Sequence, residues 1–206
     1  MSDYIQKDPM IIDDESSRSI DHRKTVLSYL HDLTYLLCGI LIVFLLLFRV
    51  VVVSGTSMNN SFLDGDYILL LNNVFYSEPK QGDVIVASKD SFRDGEPIIK
   101  RVIAVEGQTV YIDGLNQKVY VDGNLLDEPY ISTPTINNNF KLTVDKGCVF
   151  VMGDNRLNSM DSRSSEIGQI DKREILGKAI FLVWPGRNPL SGKADFSRIG
   201  VVDNGK

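Results

Sequence analysis

The run from Leu33 to Val53 is apolar except at Thr34 and Arg49. As a helix its twenty-one residues reach about 31 Å, the thickness of a bilayer's hydrocarbon core. Arg49, near one end, can extend its charge to the interface. The run therefore predicts one transmembrane helix over residues 31–53. A cleaved secretory signal is the competing reading, prompted by the small residues in Val53-Ser54-Gly55. The apolar run and the leader before it are both too long for that. Arg18, Arg23 and Lys24 flank the N-terminal side, whereas beyond Arg49 the next basic residue is Lys80. The positive-inside rule places residues 1–30 in the cytoplasm and 54–206 outside. Residues 1–25 are polar, with an acidic stretch at Asp13-Asp14-Glu15, and predict disorder or a fraying helix.

The rest of the chain suffices for one further domain. A net charge of −5, with no long basic stripe, argues against a general nucleic-acid binder. Cys38 lies in the apolar run and Cys148 in an expected strand, so the two are read as ordinary apolar-environment residues and not as a disulfide. No Cys/His cluster has metal-ligand spacing, and no Rossmann or P-loop pattern occurs, so neither a metal nor a nucleotide cofactor is expected. The only histidines, His22 and His31, precede the exported part. A histidine-based triad is thereby excluded there unless the anchor folds back.

The exported part reads as mostly β. Short β-branched or apolar runs occur at Tyr67–Leu71, Asp83–Ala87, Ile98–Val105, Thr109–Ile112, Lys118–Val121, Val149–Met152 and Ala179–Val183. Turn signals separate them, among them Asp64-Gly65-Asp66, Gly82-Asp83, Asp113-Gly114, Asp122-Gly123 and Gly153-Asp154-Asn155. Tyr111–Gly114 and Tyr120–Gly123 look like a pair of strand–turn units of hairpin type. Thr133–Asn139, with Pro134 and three successive asparagines, reads as a loop.

Gly55-Thr56-Ser57-Met58 follows the apolar run directly, and four residues from Val53 to Ser57 extend at most about 14 Å. A serine hydroxyl is a weak nucleophile until a base takes its proton. Without histidine the choices are carboxylates and lysine, and lysine serves only when neutral, which burial among apolar groups favours. Lys100 meets that condition within Pro97-Ile98-Ile99-Lys100-Arg101-Val102-Ile103. Strand alternation places it with Ile98 and Val102, opposite Ile99 and Arg101. Arg101 then points the other way, to solvent or a carboxylate. Each part alone has an ordinary explanation: a turn serine, a surface lysine, a capping aspartate, a solvated Asp161/Arg163 pair.

Together, Ser54–Met58, Gly82-Asp83-Val84-Ile85, Lys100–Ala104 and the eleven residues Gly153–Arg163 resemble type I signal peptidase, the membrane-bound serine–lysine protease of the S26 type. They occur in that family's order, and the resemblance covers roughly residues 30–185. It implies an exported β-rich serine-protease domain over 54–206, cleaving signal peptides from secreted preproteins with no cofactor. Ser57 would be the nucleophile and Lys100 the general base. Ser159 would hydrogen-bond and orient the lysine, Asp161 and Arg163 would form a supporting ion pair, and Asp154 would hold the last motif's turn. The Ser57 backbone N–H would be one oxyanion donor. Val53, Met58 and Ile99, near Ser57 and Lys100, are the candidate substrate-pocket residues. The implied partners are signal peptides and the lipid bilayer, with no nucleic acid; the oligomeric state is left open.

Two positions depart from the family pattern. Gly55 stands where some members carry a hydroxyl, although a glycine branch also lacks it. Asn60 stands where the family usually has the proline of Ser-Met-x-Pro. Asparagine can turn the chain by bonding its own backbone, so a softer Ser57 loop is expected. The alternative reading is a catalytically silent, membrane-anchored β-module for protein interaction. A self-cleaving repressor would carry a helix-turn-helix and no span, and a sorting transpeptidase would need a Cys–His pair in the exported domain.

Overall fold

The structure, a computed structural model, describes residues 14–89, 92, 95–135, 139–189 and 191–203. Two compact units divide near Leu45 and Leu46. The first consists of most of helix α1, Asp14–Leu47. Within it Thr25–Leu47 is long and apolar enough to cross a membrane, its 23 residues rising about 34 Å. Of residues 1–25, 1–13 lie outside the described residues, and Asp14–Thr25 are helical.

The helix stops before the expected boundary. Phe48–Val52 is not a continuation of the 31–53 span but strand β1, paired antiparallel with the next strand from Phe48↔Leu71 to Val52↔Tyr67. Four successive valines, Val50–Val53, favour a pleated conformation over a helix because their branched side chains are restricted at χ1. Arg49 is an exposed strand residue opposite Leu70.

The strands that follow are β2 (Tyr67–Asn72), β3 (Val84–Ala87), β4 (Ile98–Val105), β5 (Thr109–Asp113), β6 (Lys118–Val121), β7 (Asn124–Leu125), β8 (Phe140–Thr143), β9 (Cys148–Met152), β10 (Ile170–Asp171), β11 (Ile175–Trp184) and β12 (Gly200–Val201). They form an eight-stranded sheet in the order β1-β2-β11-β3-β4-β9-β10, with β12 on β11, and a four-stranded sheet, β7-β6-β5-β8. Every run expected to be a strand is one. The β6–β7 hairpin turns at Asp122-Gly123, both with positive φ, as the expected Asp-Gly signal requires.

Strand β4 is central and buried on both faces, which is why its sequence is nearly continuous in apolar residues. A bulge between Val102 and Ala104 interrupts its pairing with β9. Val102 thereby packs with Ile85, Val149 and Val151, while Ile103 and Ala104 join Phe150 and Met152 in the layer shared with the small sheet. Val110, Ile112, Val119 and Val121 supply the other side of that layer. The alternating burial of β5 and β6 follows from having one face against it.

Phe150 is fully buried in this layer. Phe150→Ala is expected to lower stability by about 3–5 kcal/mol, measured as a shift of the denaturant midpoint by circular dichroism. A loss below about 1 kcal/mol would mean that the two sheets do not depend on this layer.

Candidate active site

The segment after β1 leaves the sheet and returns to it at β2, forming a loop closed at its neck. Val53 N–H donates to Asp66 O at 2.8 Å and Gly65 N–H to Val53 O at 2.9 Å. Gly55, with φ 90°, donates its N–H to Asp64 Oδ1 at 2.8 Å. Asp66 is fully buried and accepts from Leu63 N–H, Gly186 N–H and both terminal nitrogens of Arg198. After Ser57 the chain makes one turn, closed by Phe62 N–H to Met58 O at 2.8 Å. Met58 and Phe62 both enter the core.

This loop sets Ser57 against β4. Lys100 Nζ lies 2.8 Å from Ser57 Oγ and donates to Ile99 O at 2.9 Å. Lys100 is only 5% exposed. The pair opens onto a cavity of about 440 Å³ with walls from Val51–Ser57, Ile68, Val86, Pro97–Ile99, Met160 and Leu176. Of the expected pocket residues, Val53 and Ile99 line it. Met58 does not: the Met58–Phe62 turn directs it inward, and it is a core residue at 1% exposure.

The Gly153–Arg163 motif braces the other side. Asn155 N–H donates to Ser57 O at 2.9 Å, and its Nδ2 donates to Thr56 O at 3.1 Å. Gly153 N–H donates to Asp161 Oδ2 at 3.0 Å. Asp161 is paired with Arg163, whose Nε is 2.8 Å from Oδ1. Arg156 is buried too; it bonds Gly153 O, Thr135 Oγ1 and the Glu128 carboxylate. A Cβ on Gly153 would stand 2.2 Å from Ser159 Oγ and 2.5 Å from Ser57 O, so only glycine fits this approach.

Arg101 does not point to solvent. It is fully buried, and its Nε and Nη2 bond the two oxygens of Asp154 at 2.9 and 2.8 Å. Its remaining N–H groups reach Gly82 O, Asp203 O and Ser61 Oγ. The Tyr130 ring covers it, with the guanidinium carbon 4.0 Å from the centroid. Burial, then the nearby Glu128 carboxylate, push the Tyr130 phenol well above its ordinary range, so it stays neutral. Asp154 is therefore an ion-pair partner as well as a turn residue.

A further expectation is corrected. Among the described residues the buried Ser159 hydroxyl has no hydrogen-bond partner, so it does not bond Lys100 here. It is packed instead against Gly153, near the Ser57 carbonyl. The Ser57 loop, expected to be softer, is held by the bonds above. Asn60 has φ 65°, a left-handed conformation that asparagine tolerates and proline, fixed near −65°, cannot reach. The roles of Asn155 and Ser61 are not evident from sequence. Asn155 sits inside the last motif and Ser61 three residues beyond the first, and their partners lie 98 and 93 positions away, at Ser57 and Asp154.

A family model described as signal peptidase, peptidase S26, matches residues 26–184. The chain belongs to the S26 signal peptidase family. A signal peptidase I of Bacillus licheniformis is 35% identical over 150 residues, 68% of this chain and 78% of that protein. Signal peptidase I S of Bacillus subtilis is 30% identical over 181 residues, 82% and 95% of the two chains. A crystal structure of a signal peptidase I from Enterococcus faecalis V583 is 30% identical, covering 49% of this chain and 96% of that one, with a TM-score of 0.42. As an S26 signal peptidase the chain is a serine endopeptidase, and the silent-module reading is not favoured.

Substitutions at two positions probe the loop. Gly153→Ala is expected to reduce peptide cleavage by at least about 100-fold, because the added methyl must displace Ser159 or the Ser57 carbonyl. Asn60→Pro is expected to destabilise the protein by about 1–3 kcal/mol, while Asn60→Gly stays near the parent. Thermal unfolding of the two Asn60 variants checks this; a proline variant as stable as the parent would rule out the left-handed turn.

Proposed function

We propose that the chain removes signal peptides from preproteins at the outer membrane surface, with Ser57 and Lys100 as the catalytic pair. The observation that carries this is the 2.8 Å approach of Lys100 Nζ to Ser57 Oγ at the wall of an apolar cleft. Ser57 Oγ attacks the scissile carbonyl carbon as its proton passes to a neutral Lys100. The Ser57 backbone N–H supports the oxyanion. Lys100 then returns the proton to the departing amine nitrogen, and the C–N bond breaks. A water, deprotonated by the same lysine, attacks the acyl ester and releases Ser57. Ser159, Asp154, Asp161 and Arg163 take supporting roles: they shape the turn that bears on the Ser57 carbonyl. Val53 and Ile99 face the substrate.

The cytoplasmic N-terminus rests on Arg18, Arg23 and Lys24 before the apolar helix. Thr25–Leu47 supplies the span, and the exported domain begins at β1. Ten residues from Leu47 to Ser57 reach at most about 35 Å, so the site stays near the bilayer that holds a signal peptide's apolar segment. Anchoring both partners there raises their effective concentration. The domain itself exposes Val52, Tyr67 and Trp184 in register on three adjoining strands. Phe196 stacks edge-on against Trp184 at 5.1 Å. An aromatic group of this kind suits the membrane interface.

Ser57→Ala, Lys100→Ala and Lys100→Arg are each expected to abolish cleavage of a preprotein with a small-x-small site by the purified full-length chain, the arginine variant because it stays charged. Cleavage retained by any of them would overturn the pair. The rate should also fall as pH drops below neutral, because protonated Lys100 cannot accept the serine proton; a flat profile down to pH 5 contradicts a lysine base. Trp184 is the single tryptophan. In full-chain proteoliposomes, brominated lipids should quench its emission, and unchanged emission would remove the lipid contact.

A further inference from the structure

We propose that Ser61 is a positioning residue of the reaction, holding the distal side of the Ser57 loop on the buried Arg101–Asp154 ion pair. The inference rests on the Ser57–Lys100 reading. Ser61 Oγ donates to Asp154 Oδ2 at 2.5 Å and accepts from Arg101 Nη2 at 3.2 Å. Its carbonyl accepts from Arg198 Nη2 at 3.3 Å. One small side chain thus engages both members of a pair that is itself fully buried. Hydrogen bonds to ionised groups of this kind are the strong ones.

The placement has a structural reason. The left-handed Asn60 turns the chain so that the residue after it faces Asp154 while Phe62 enters the core. On the proximal side Asn155, the next residue after Asp154, holds the Thr56 and Ser57 carbonyls. Asp154 and Asn155 therefore grip the loop on both sides of Met58. Arg101 neighbours Lys100 in β4, so the strand that presents the amine also anchors, through Ser61, the loop that presents the hydroxyl. Losing the distal grip leaves the substrate cleft intact, since Ser61 does not line it, but it frees Ser57 to drift from the amine. A misplacement of about 1 Å can cost a reaction about 100-fold.

The test compares Ser61→Thr with Ser61→Val, which match in shape and differ in the hydroxyl. Full-length variants are assayed in detergent on the same preprotein, beside the parent and Ser57→Ala. Activity in the parent and none in Ser57→Ala shows that the underlying reading stands; any other result there fails that reading and not this one. Given that control, Ser61→Val should lose about 10- to 100-fold in kcat with KM unchanged, and Ser61→Thr should stay near the parent. Ser61→Ala, which relieves any crowding by the branched side chains, should match Ser61→Val. Parent-like kcat in Ser61→Val and Ser61→Ala, a loss confined to KM, or a threonine variant as slow as the valine one would each overturn the proposal.

Discussion

The ion pair of Arg101 with Asp154 is the contact on which the rest of the site depends. All five N–H groups of the guanidinium have acceptors: the two Asp154 oxygens, the carbonyls of Gly82 and Asp203, and the Ser61 hydroxyl. Complete satisfaction is what makes such a burial tolerable. Removing either partner would leave an uncompensated buried charge, at a cost of about 3–5 kcal/mol. The pair also ties together four segments far apart in the chain, the Ser57 loop, the turn before β3, the Gly153 motif and the C-terminal strap after β12. Because side chains alternate along β4, fixing Arg101 on one face fixes Lys100 on the other.

Around that pair the site is a set of close approaches with little freedom. Gly153 lets the motif's backbone come against Ser57 O and Ser159. Asp161, oriented by Arg163, holds the Gly153 N–H, and Arg156 holds its carbonyl. The Ser57 loop then has a motif behind it, the core beneath Met58 and Phe62, and Asp66 with Arg198 at its neck. A serine–lysine pair needs this rigidity. The Lys100 amine donates to Ile99 O and lies 2.8 Å from Ser57 Oγ, so both the strand and the loop take part in its placement.

Much of the fold is legible in the order of residues. The seven expected strands are present because their β-branched runs are bounded by turn residues, and the Asp122-Gly123 hairpin follows from its turn chemistry. The pairs of residues in β7, β10 and β12 are not legible, since two-residue strands carry no periodic signal. The sequence of β1 reads as the end of the span. Its valines satisfy hydropathy and strand propensity equally, and only the pairing partner Tyr67–Asn72 decides between them. Met58 as a pocket residue and Ser159 as a lysine ligand fail for a related reason: proximity in sequence says nothing about which way a turned loop points.

The sequence by itself determined that an apolar helix precedes a β-rich domain, and that a histidine-based triad is excluded from that domain, because the chain's only histidines lie before it. The resemblance of its short motifs to the family's implied that they meet. The tertiary structure alone decided how they meet. Burial of Arg101, the left-handed turn at Asn60, the grip of Asp154 and Asn155 on the loop, and the turn of Met58 into the core all depend on contacts between residues some forty to a hundred positions apart or on the backbone those contacts impose. Local patterns encode faces and turns, whereas long-range hydrogen bonds and desolvation act only once the chain has closed on itself.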